Sequence, residues 1–588
     1  MLIKHLHKFF TVPTANKSNP QMIFWLSLSL TFAAIYSILA LKRAFSGEYV
    51  VQDDARQHVF WMRRFLDADL FPNDLIANYF QSIAPLGYST VYQIGAFVGI
   101  DPLVLSKLLP LVLGLLTTIY CFGVCVQLLP VPITGFIGAL LLNQNLWMQD
   151  GLISATPKAF LYPLFLAFLY YLLRRSLIPC LVAIALLGLF YPSLILVCAG
   201  ILILQLCRLD KYRLHLLQNR RDYLFCVAGL GVAILVLLPY ALNSSEFGPV
   251  ITAAEARRLP EFLLEGRASF FNDQNPWEFW FNASRSGIRL PSALMPPLVY
   301  AGFVLPILLH YPSRFPLSKR VSAGVIILPQ LILASLAIFF AAHALLFKLH
   351  LPSRYTQHSL RIVMVTAAAI ALTLLLDAVF ARIKDIHKTS RVTPPFLRGV
   401  GGITRGVGGI ASCLLLISTL IFYPITLKSF IWTGYVIGEV PELYKFFQQQ
   451  PKDILIASLA DEANNLPTFS QRSILIGREY AIPYHQGYYQ EFRQRTIELI
   501  QAQYSQDLTD VKHLIDKYKI DFWLLDKSAF TPSYVLSDLW ISQYQPLATE
   551  AYAQMQQGNL PALSKITERC SIFATKSLVV LQVDCIKN

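Results

Sequence analysis

Charged residues are scarce in this chain, which excludes an ordinary soluble domain. Only 14% of the 588 residues are Asp, Glu, Lys or Arg, whereas soluble proteins carry about 25%. Hydrophobic residues make up 55% of the chain, and its mean hydropathy is +0.50. This composition indicates a polytopic membrane protein with room for about ten spans and an additional soluble domain.

The sequence also lacks CxxC pairs and cysteine–histidine clusters, so its nine cysteines do not predict a zinc site. Most of them lie in apolar runs, where cysteine acts as a small hydrophobic residue. The last two, Cys570 and Cys585, flank a hairpin-like stretch near the end of the chain. A disulfide and two free thiols are both compatible with this placement.

The excess of basic residues does not indicate a nucleic acid partner. The formal net charge is +14, but the basic residues concentrate in short loops between apolar segments, as the positive-inside rule describes. We therefore expect membrane lipids rather than nucleic acid around this protein.

Apolar segments predict about eleven membrane spans in the first three quarters of the chain. The first runs from Met22 to Leu41. The others are expected at 103–129, 131–148, 158–173, 177–190, 193–207, 223–242, 294–310, 322–343, 359–380 and 411–432. Val91 to Ile100 is too short to cross and is expected to lie along the membrane interface.

The basic loops set the expected orientation of the chain. With a cytoplasmic N-terminus, the spans place loops 208–222, 311–321 and 381–410 inside, and all three are rich in Arg and Lys. The same parity places loop 42–87 and the tail from residue 433 outside. We therefore expect an integral protein of the plasma (inner) membrane of a bacterium, with an extracytoplasmic C-terminal domain.

Short apolar runs alternate with helical periodicity after about residue 433. The predicted strands and the helices between them are, in chain order, 453–458, 473–477, 491–504, 508–518 and 521–526. A hairpin is predicted around Lys576-Ser577. Strands that alternate with helices indicate a small α/β domain with a partly parallel sheet. The expected organisation is a membrane domain, 1–432, followed by a soluble α/β domain, 433–588.

Two adjacent carboxylates, Asp53 and Asp54, lie in loop 42–87 shortly after the first span. Acidic residues this close to hydrocarbon tend to be functional. Either could be a general base that takes a proton from an acceptor hydroxyl, or a ligand of a divalent cation. Neighbouring carboxylates raise each other's pKa, which suits a proton acceptor. The alternative is that one of them caps a helix that begins near Ala55.

Further candidate substrate-binding residues lie beside the pair and in a later outer loop. Arg56 could bind phosphate, and His58 could orient the carboxylate of Asp54, its i+4 neighbour. Arg354 and Tyr355 come just before a predicted span. Arg354 could hold a lipid phosphate at the outer leaflet, or it could be an interfacial anchor with Tyr355 as a belt aromatic.

The order of these parts resembles the GT-C superfamily of membrane glycosyltransferases, in particular the protein O-mannosyltransferases and the bacterial aminoarabinose transferases. Those families carry an Asp-Glu pair early in the first outer loop, matched here by Asp53-Asp54, with Asp where Glu is usual. They also carry a Pro-Leu-Gly element later in that loop, matched by Pro85-Leu86-Gly87. The resemblance implies that Asp53 is the catalytic base and that Arg354 holds the donor phosphate.

The resemblance implies a glycosyltransferase that moves a sugar from a polyprenyl-phosphate-linked donor to an acceptor at the outer face of the membrane. No nucleotide cofactor is needed, because the donor bond is already activated; a divalent cation at Asp53 and Asp54 stays open, as does the acceptor. The alternatives are a non-enzymatic membrane assembly protein and a lipid or polysaccharide transporter. A transporter would need polar residues in mid-span, and the predicted spans are almost wholly apolar.

Overall fold

The structure is a computed structural model that describes residues 7, 9–11, 20–210, 213–216, 219–242, 246–392, 411 and 414–588. Five of the described helices are long and apolar enough to cross a membrane: Pro20–Ala44, Pro102–Leu128, Arg220–Leu242, Ala323–Ala344 and Ser353–Ile383. Five shorter apolar helices are Pro157–Leu173, Leu177–Phe190, Pro192–Leu204, Pro297–His310 and Leu414–Thr426. The chain is therefore a polytopic helical membrane protein.

The α-helices of the membrane part follow one another with mostly short connections, apart from the segment 257–289. They are α1 (Pro20–Ala44), α2 (Asp53–Val59), α3 (Leu75–Ser82), α4 (Leu86–Phe97), α5 (Pro102–Leu128), α6 (Pro132–Trp147), α7 (Asp150–Ile153), α8 (Pro157–Leu173), α9 (Leu177–Phe190), α10 (Ile195–Leu204), α11 (Arg220–Leu242), α12 (Ala253–Ala256), α13 (Leu290–Ala293), α14 (Leu305–His310), α15 (Ile327–Ala344) and α16 (Ser353–Val392).

Each predicted span overlaps a helix, but the number that cross the membrane stays a prediction. The segment expected along the interface lies mostly on α4, where Ile94 and Phe97 are exposed. The predicted inner loop 208–222 contains a short hairpin of β2 (Cys207–Asp210) and β3 (Arg213–Leu216). The predicted inner loop 381–410 begins within α16, and its residues 393–410 lie outside the described part.

Helices α6 and α16 form the centre of the membrane part. Every residue of α6 is buried, as is 83% of the most apolar window of α16. The Thr134 hydroxyl of α6 donates a hydrogen bond to Thr373 Oγ1 of α16 at 3.0 Å. About one turn further along α16, His7 Nε2 and Asp377 Oδ1 lie 2.8 Å apart. Such polar pairs join helices where hydrocarbon offers no other partner.

A five-stranded mixed sheet organises the C-terminal part of the chain. Its strands are β5 (Leu455–Ser458), β6 (Ser473–Ile474), β7 (Phe522–Asp526), β8 (Ser571–Ala574) and β9 (Leu578–Gln582), in the order β6-β5-β7-β9-β8. Strand β5 pairs in parallel with β6 and β7, whereas β9 is antiparallel to β7 and β8. The predicted strands and terminal hairpin are confirmed; the domain boundary at 432/433 and the outer location stay predictions.

Helices surround this sheet on the chain from residue 441 onward. They are α17 (Pro441–Gln448), α18 (Leu466–Phe469), α19 (Gln486–Tyr504), α20 (Leu508–Tyr518), α21 (Pro532–Ser537), α22 (Leu547–Gln556), α23 (Ala562–Cys570) and α24 (Val583–Lys587). The two longest, α19 and α20, connect β6 with the parallel strand β7, as the alternating pattern predicts.

Cys570 and Cys585 form a disulfide across a separation of 15 residues. Closing a loop of this length stabilises a fold by about 3 kcal/mol in the chain-entropy description. We expect the Cys570→Ser/Cys585→Ser variant to have a lower opening free energy in β8 and β9, measured by amide hydrogen exchange, by about 3 kcal/mol. Cys207→Ser, which removes a free thiol elsewhere, is the matched control. Equal protection in the double variant and the wild type would contradict the expectation.

A two-stranded sheet joins the first loop to the chain after the last apolar helix. Strand β1 (Val50–Gln52) pairs antiparallel with β4 (Tyr435–Ile437). Immediately after β1, the backbone N–H of Asp53 donates to the carbonyl of Gly434 at 3.0 Å. Gly434 has a φ of +56°, a left-handed conformation that glycine adopts without a steric penalty. This contact fixes the backbone where the acidic pair begins.

Candidate active site

The acidic pair occupies the first turn of α2 and does not cap it. The cap is Gln52, whose Oε1 accepts a hydrogen bond from the Ala55 backbone N–H at 3.1 Å. The interpretation of Asp53 or Asp54 as a helix cap is therefore wrong. Both carboxylates are therefore left to pair with basic side chains, Asp53 with Arg56 of the same helix and Asp54 with Lys158.

Asp54 is paired with Lys158, at the start of α8. The Lys158 ammonium donates to Asp54 Oδ2 and, at 2.7 Å, to Asp150 Oδ2. Burial favours the neutral acid, but the charge of Lys158 and its hydrogen bond outweigh burial and lower the pKa of Asp54 below its ordinary value. The prediction that the two adjacent carboxylates raise each other's pKa is wrong for Asp54, which stays ionised.

Asp53 has the opposite electrostatic setting. Burial raises its pKa above the ordinary value, against the Arg56 guanidinium, and the carboxylates of Glu479 and Asp54 raise it further. The side chain nevertheless keeps 47% of its surface exposed. Its Oδ1 accepts from Arg56 Nη2 at 2.8 Å, and Oδ2 accepts no hydrogen bond from any described residue. A carboxylate with a raised pKa and a free, exposed oxygen suits a proton acceptor.

Arg56 is engaged by protein groups rather than open to a ligand. Its side chain is only 8% exposed. Besides the bond to Asp53, Nη1 donates to Asn465 Oδ1 at 2.7 Å, and Nη2 lies 3.6 Å from Glu479 Oε2. These contacts argue against the phosphate-binding role expected from the sequence, because both terminal nitrogens already have partners.

His58 does not orient its i+4 neighbour through a hydrogen bond. Its ring lies edge-on to Phe80, with the centroids 5.2 Å apart, and in the described part of the chain no hydrogen bond joins it to Asp54. Burial lowers the pKa of His58 to about 4, although the Asp54 carboxylate opposes this shift. The imidazole is thus neutral at neutral pH, and the role expected for it passes to Lys158.

Arg354 lies at the start of α16, half-buried and close enough for its charge to lower the pKa of Asp54. Its guanidinium donates no hydrogen bond to any residue that the structure describes. Arg289 lies nearby: burial first, and then the charges of Arg354 and Arg361, lower its pKa. Positive charge therefore accumulates beside the acidic pair, which favours an anionic ligand there.

Tyr355 is not available to a substrate in this arrangement. The residue is 1% exposed, and its hydroxyl donates to the backbone carbonyl of Leu349 at 2.5 Å. The contact closes the loop before α16 onto the first turn of that helix. Arg354 therefore lies beside the acidic pair, whereas the side chain of Tyr355 points into the protein interior.

The fold has solved relatives, although no protein-family model and no curated protein sequence matches the chain significantly. The apo form of the Archaeoglobus fulgidus oligosaccharyltransferase matches with a TM-score of 0.52 and 11% identity, over 91% of this chain and 73% of that chain. The complex of the same archaeon's enzyme with an inhibitory peptide and a dolichol-phosphate matches with a TM-score of 0.51 and 11% identity, over 90% and 72%. The chain has the GT-C fold. The resemblance seen in the sequence is confirmed at this level.

Two basic residues near the acidic pair are not part of any loop motif, because they lie at the edges of predicted spans. Lys158 is the first residue of one, and Arg361 is the third residue of another. Arg361 is buried, and its guanidinium donates to the Tyr162 hydroxyl and to Gln149 Oε1. The Tyr162 hydroxyl also lies 2.8 Å from His358 Nδ1. Their position just inside predicted spans, where charged residues are costly, is the feature of the sequence that indicates a functional role.

The side chains at the acidic pair do not fit a divalent cation. No group of three or more His, Cys, Asp or Glu side chains suited to a metal ion occurs among the described residues. The ammonium of Lys158 already bridges Asp54 and Asp150. A cation at Asp54 would therefore have to displace this lysine.

Proposed function

We propose that the chain is a glycosyltransferase that moves a sugar from a polyprenyl-phosphate donor to an acceptor hydroxyl at the outer face of a bacterial plasma membrane. One observation carries this proposal: two groups of opposite charge lie close to Asp54. They are the Asp53 carboxylate, whose pKa is raised, and the Arg354 guanidinium, which no described residue binds. The archaeal oligosaccharyltransferase with the same fold is solved with a dolichol-phosphate, a lipid of the class proposed as donor.

The reaction is a single displacement at the anomeric carbon. The acceptor hydroxyl approaches Asp53, whose free Oδ2 takes its proton while the hydroxyl oxygen forms a bond to the anomeric carbon. The bond from that carbon to the phosphate oxygen breaks, and its electron pair leaves with polyprenyl phosphate. Arg354 stabilises the negative charge that grows on this leaving group. The apolar helices hold the lipid tail.

Asp54 and Lys158 organise the site without exchanging protons. The ion pair keeps Asp54 negative, and this charge in turn helps to raise the pKa of Asp53. Lys158 offsets the charges of Asp54 and Asp150, so that Arg354 and the nearby Arg289 can attract the donor phosphate. Orientation follows from the basic inner loops: with a cytoplasmic N-terminus, the acidic pair and Arg354 share the outer side.

Arg354→Gln is expected to raise the dissociation constant for polyprenyl phosphate about 10- to 100-fold, because a hydrogen bond between charged groups contributes about 1.5–3 kcal/mol. Binding can be measured by thermal shift or calorimetry in detergent. Lys348→Gln removes an exposed cation from the same loop and is expected to bind like the wild type. Equal affinities of all three proteins would contradict a phosphate-binding role for Arg354.

A comparison of strains tests the proposed function in the cell. The wild type, a deletion strain, and the deletion strain complemented with either the intact gene or Asp53→Asn are analysed for envelope glycans and lipid-linked sugars by mass spectrometry. We expect one sugar modification to be lost on deletion and to be restored by the intact gene but not by the variant. Restoration by the variant would favour the assembly-protein alternative.

A further inference from the structure

The C-terminal module, defined as residues 441–588, reaches directly into the ion network of the acidic pair. Glu479 lies in a short turn after β6. Its Oε2 accepts from Gln57 Nε2 at 2.7 Å and from Arg267 Nη2 at 2.7 Å. One carboxylate of the module therefore joins the first outer loop to the loop that contains Arg267.

Two further residues of the module, Asn465 and Thr468, form hydrogen bonds with Arg56. Asn465 Oδ1 accepts from Arg56 Nη1 at 2.7 Å, and the Thr468 hydroxyl donates to the backbone carbonyl of Arg56 at 3.0 Å. Asn465 is itself fixed, because its Nδ2 donates to Glu462 Oε1 at 2.8 Å. These contacts fix the position of the guanidinium that binds Asp53.

Exposure falls steeply along this chain of charges. Asp53 keeps 47% of its side-chain surface exposed, whereas Glu479 and Arg267 keep 21% and Arg56 keeps 8%. Asp53 is therefore the end of the network that a substrate can reach, and the other three lie behind it. The two carboxylates and two guanidiniums balance in charge, so the network can stay ionised while partly shielded from water.

We propose that Glu479 is a positioning residue for Asp53, through which the C-terminal module fixes Arg56 and thereby the carboxylate that accepts the proton. This inference rests on the proposed function, because it takes Asp53 as the base. It extends that function by making the C-terminal module part of the active site rather than a separate binding domain.

The charges around Asp53 determine the direction in which each substitution shifts its pKa. The charged groups that act on it are Arg56, Glu479, Asp54 and Arg267. Removing the negative charge of Glu479 leaves the two guanidiniums to stabilise the Asp53 anion, so its pKa falls. Removing the positive charge of Arg267 has the opposite effect. A general base acts in its deprotonated form, so the acidic limb of the pH profile follows the pKa of Asp53.

The test is the pH dependence of kcat/KM for sugar transfer from a synthetic polyprenyl-phosphate sugar by the full-length protein. Glu479→Gln is expected to move the acidic limb to lower pH and to reduce kcat about tenfold, because a weaker base transfers the proton less readily. Arg267→Gln is expected to move the limb to higher pH. Glu491→Gln, which breaks an exposed ion pair with Arg495 in α19, leaves both quantities unchanged.

Each outcome decides between the two proposals. Absence of transfer by the wild type would overturn the proposed function itself. Transfer by the wild type with an unmoved limb in both folded variants would overturn the role of Glu479 alone. If neither variant folds, the contact serves the fold rather than the base, and the inference is equally overturned; if only one folds, the direction of its shift decides.

Discussion

Asp53→Asn is expected to lower the rate of sugar transfer by about 10²- to 10⁴-fold, the contribution that a general base typically makes. Asparagine has nearly the same shape and its carbonyl oxygen can still accept the hydrogen bond from Arg56, so the ion network loses little of its geometry. What disappears is the ability to take a proton. The initial rate of product formation, compared with the amount of folded protein, measures the effect.

The control for this substitution is Asp69→Asn. Asp69 lies in the same loop and is 85% exposed at the side chain, so its substitution removes the same charge far from the site. Its rate is expected to equal that of the wild type. An Asp53→Asn variant that keeps more than about a tenth of the wild-type rate would contradict the assignment of the base.

Lys158→Met is expected to have the second largest effect. Without the ammonium, Asp54 and Asp150 face each other with no compensating charge. Breaking a fully buried ion pair costs about 3–5 kcal/mol; because these carboxylates keep some contact with solvent, we expect a loss of about 2 kcal/mol in the free energy of unfolding. Thermal unfolding in detergent measures this loss.

The same substitution is expected to slow transfer about 100-fold, because the uncompensated carboxylates of Asp54 and Asp150 would repel the negative charge that develops on the leaving phosphate. Lys158→Arg keeps the cation and is expected to retain most of the stability. Lys158→Met combined with Asp54→Asn is expected to recover part of the stability but not the rate.

EDTA is expected to leave wild-type transfer unchanged, because Lys158 rather than a metal ion neutralises Asp54. A full loss of activity that Mg²⁺ restores would contradict this role of Lys158.

The sequence predicts those parts of the structure that depend on local pattern. The strands of the C-terminal sheet are short runs of branched apolar residues, and each predicted span overlaps a helix. Arg56 and Asp53 are also neighbours by helical spacing, but the phosphate-binding role expected for Arg56 left their ion pair unpredicted. Fold class and the place of the acidic pair follow from such short-range rules.

The partners that decide the roles at the site come from far along the chain. Lys158 is 104 residues from Asp54, and Glu479 is 422 residues from Gln57. The neighbours of Asp54 in the sequence include Asp53 and His58, so the local pattern predicts a raised pKa for Asp54 and an orienting role for His58. Only packing brings α8 and the C-terminal module to α2, and that packing shifts the pKa values of the two carboxylates in opposite directions.

The pH dependence of polyprenyl phosphate release tests the central claim most directly. Purified wild-type protein is given a polyprenyl-phosphate sugar and acceptor extract from the deletion strain, and the released lipid phosphate is measured across the acidic range. The rate is expected to rise with pH through the pKa of Asp53, which lies above the ordinary carboxyl value of 3.8, and Asp53→Asn should have a low rate without this rise. No release by the wild type, or the same rise in the variant, would contradict the account.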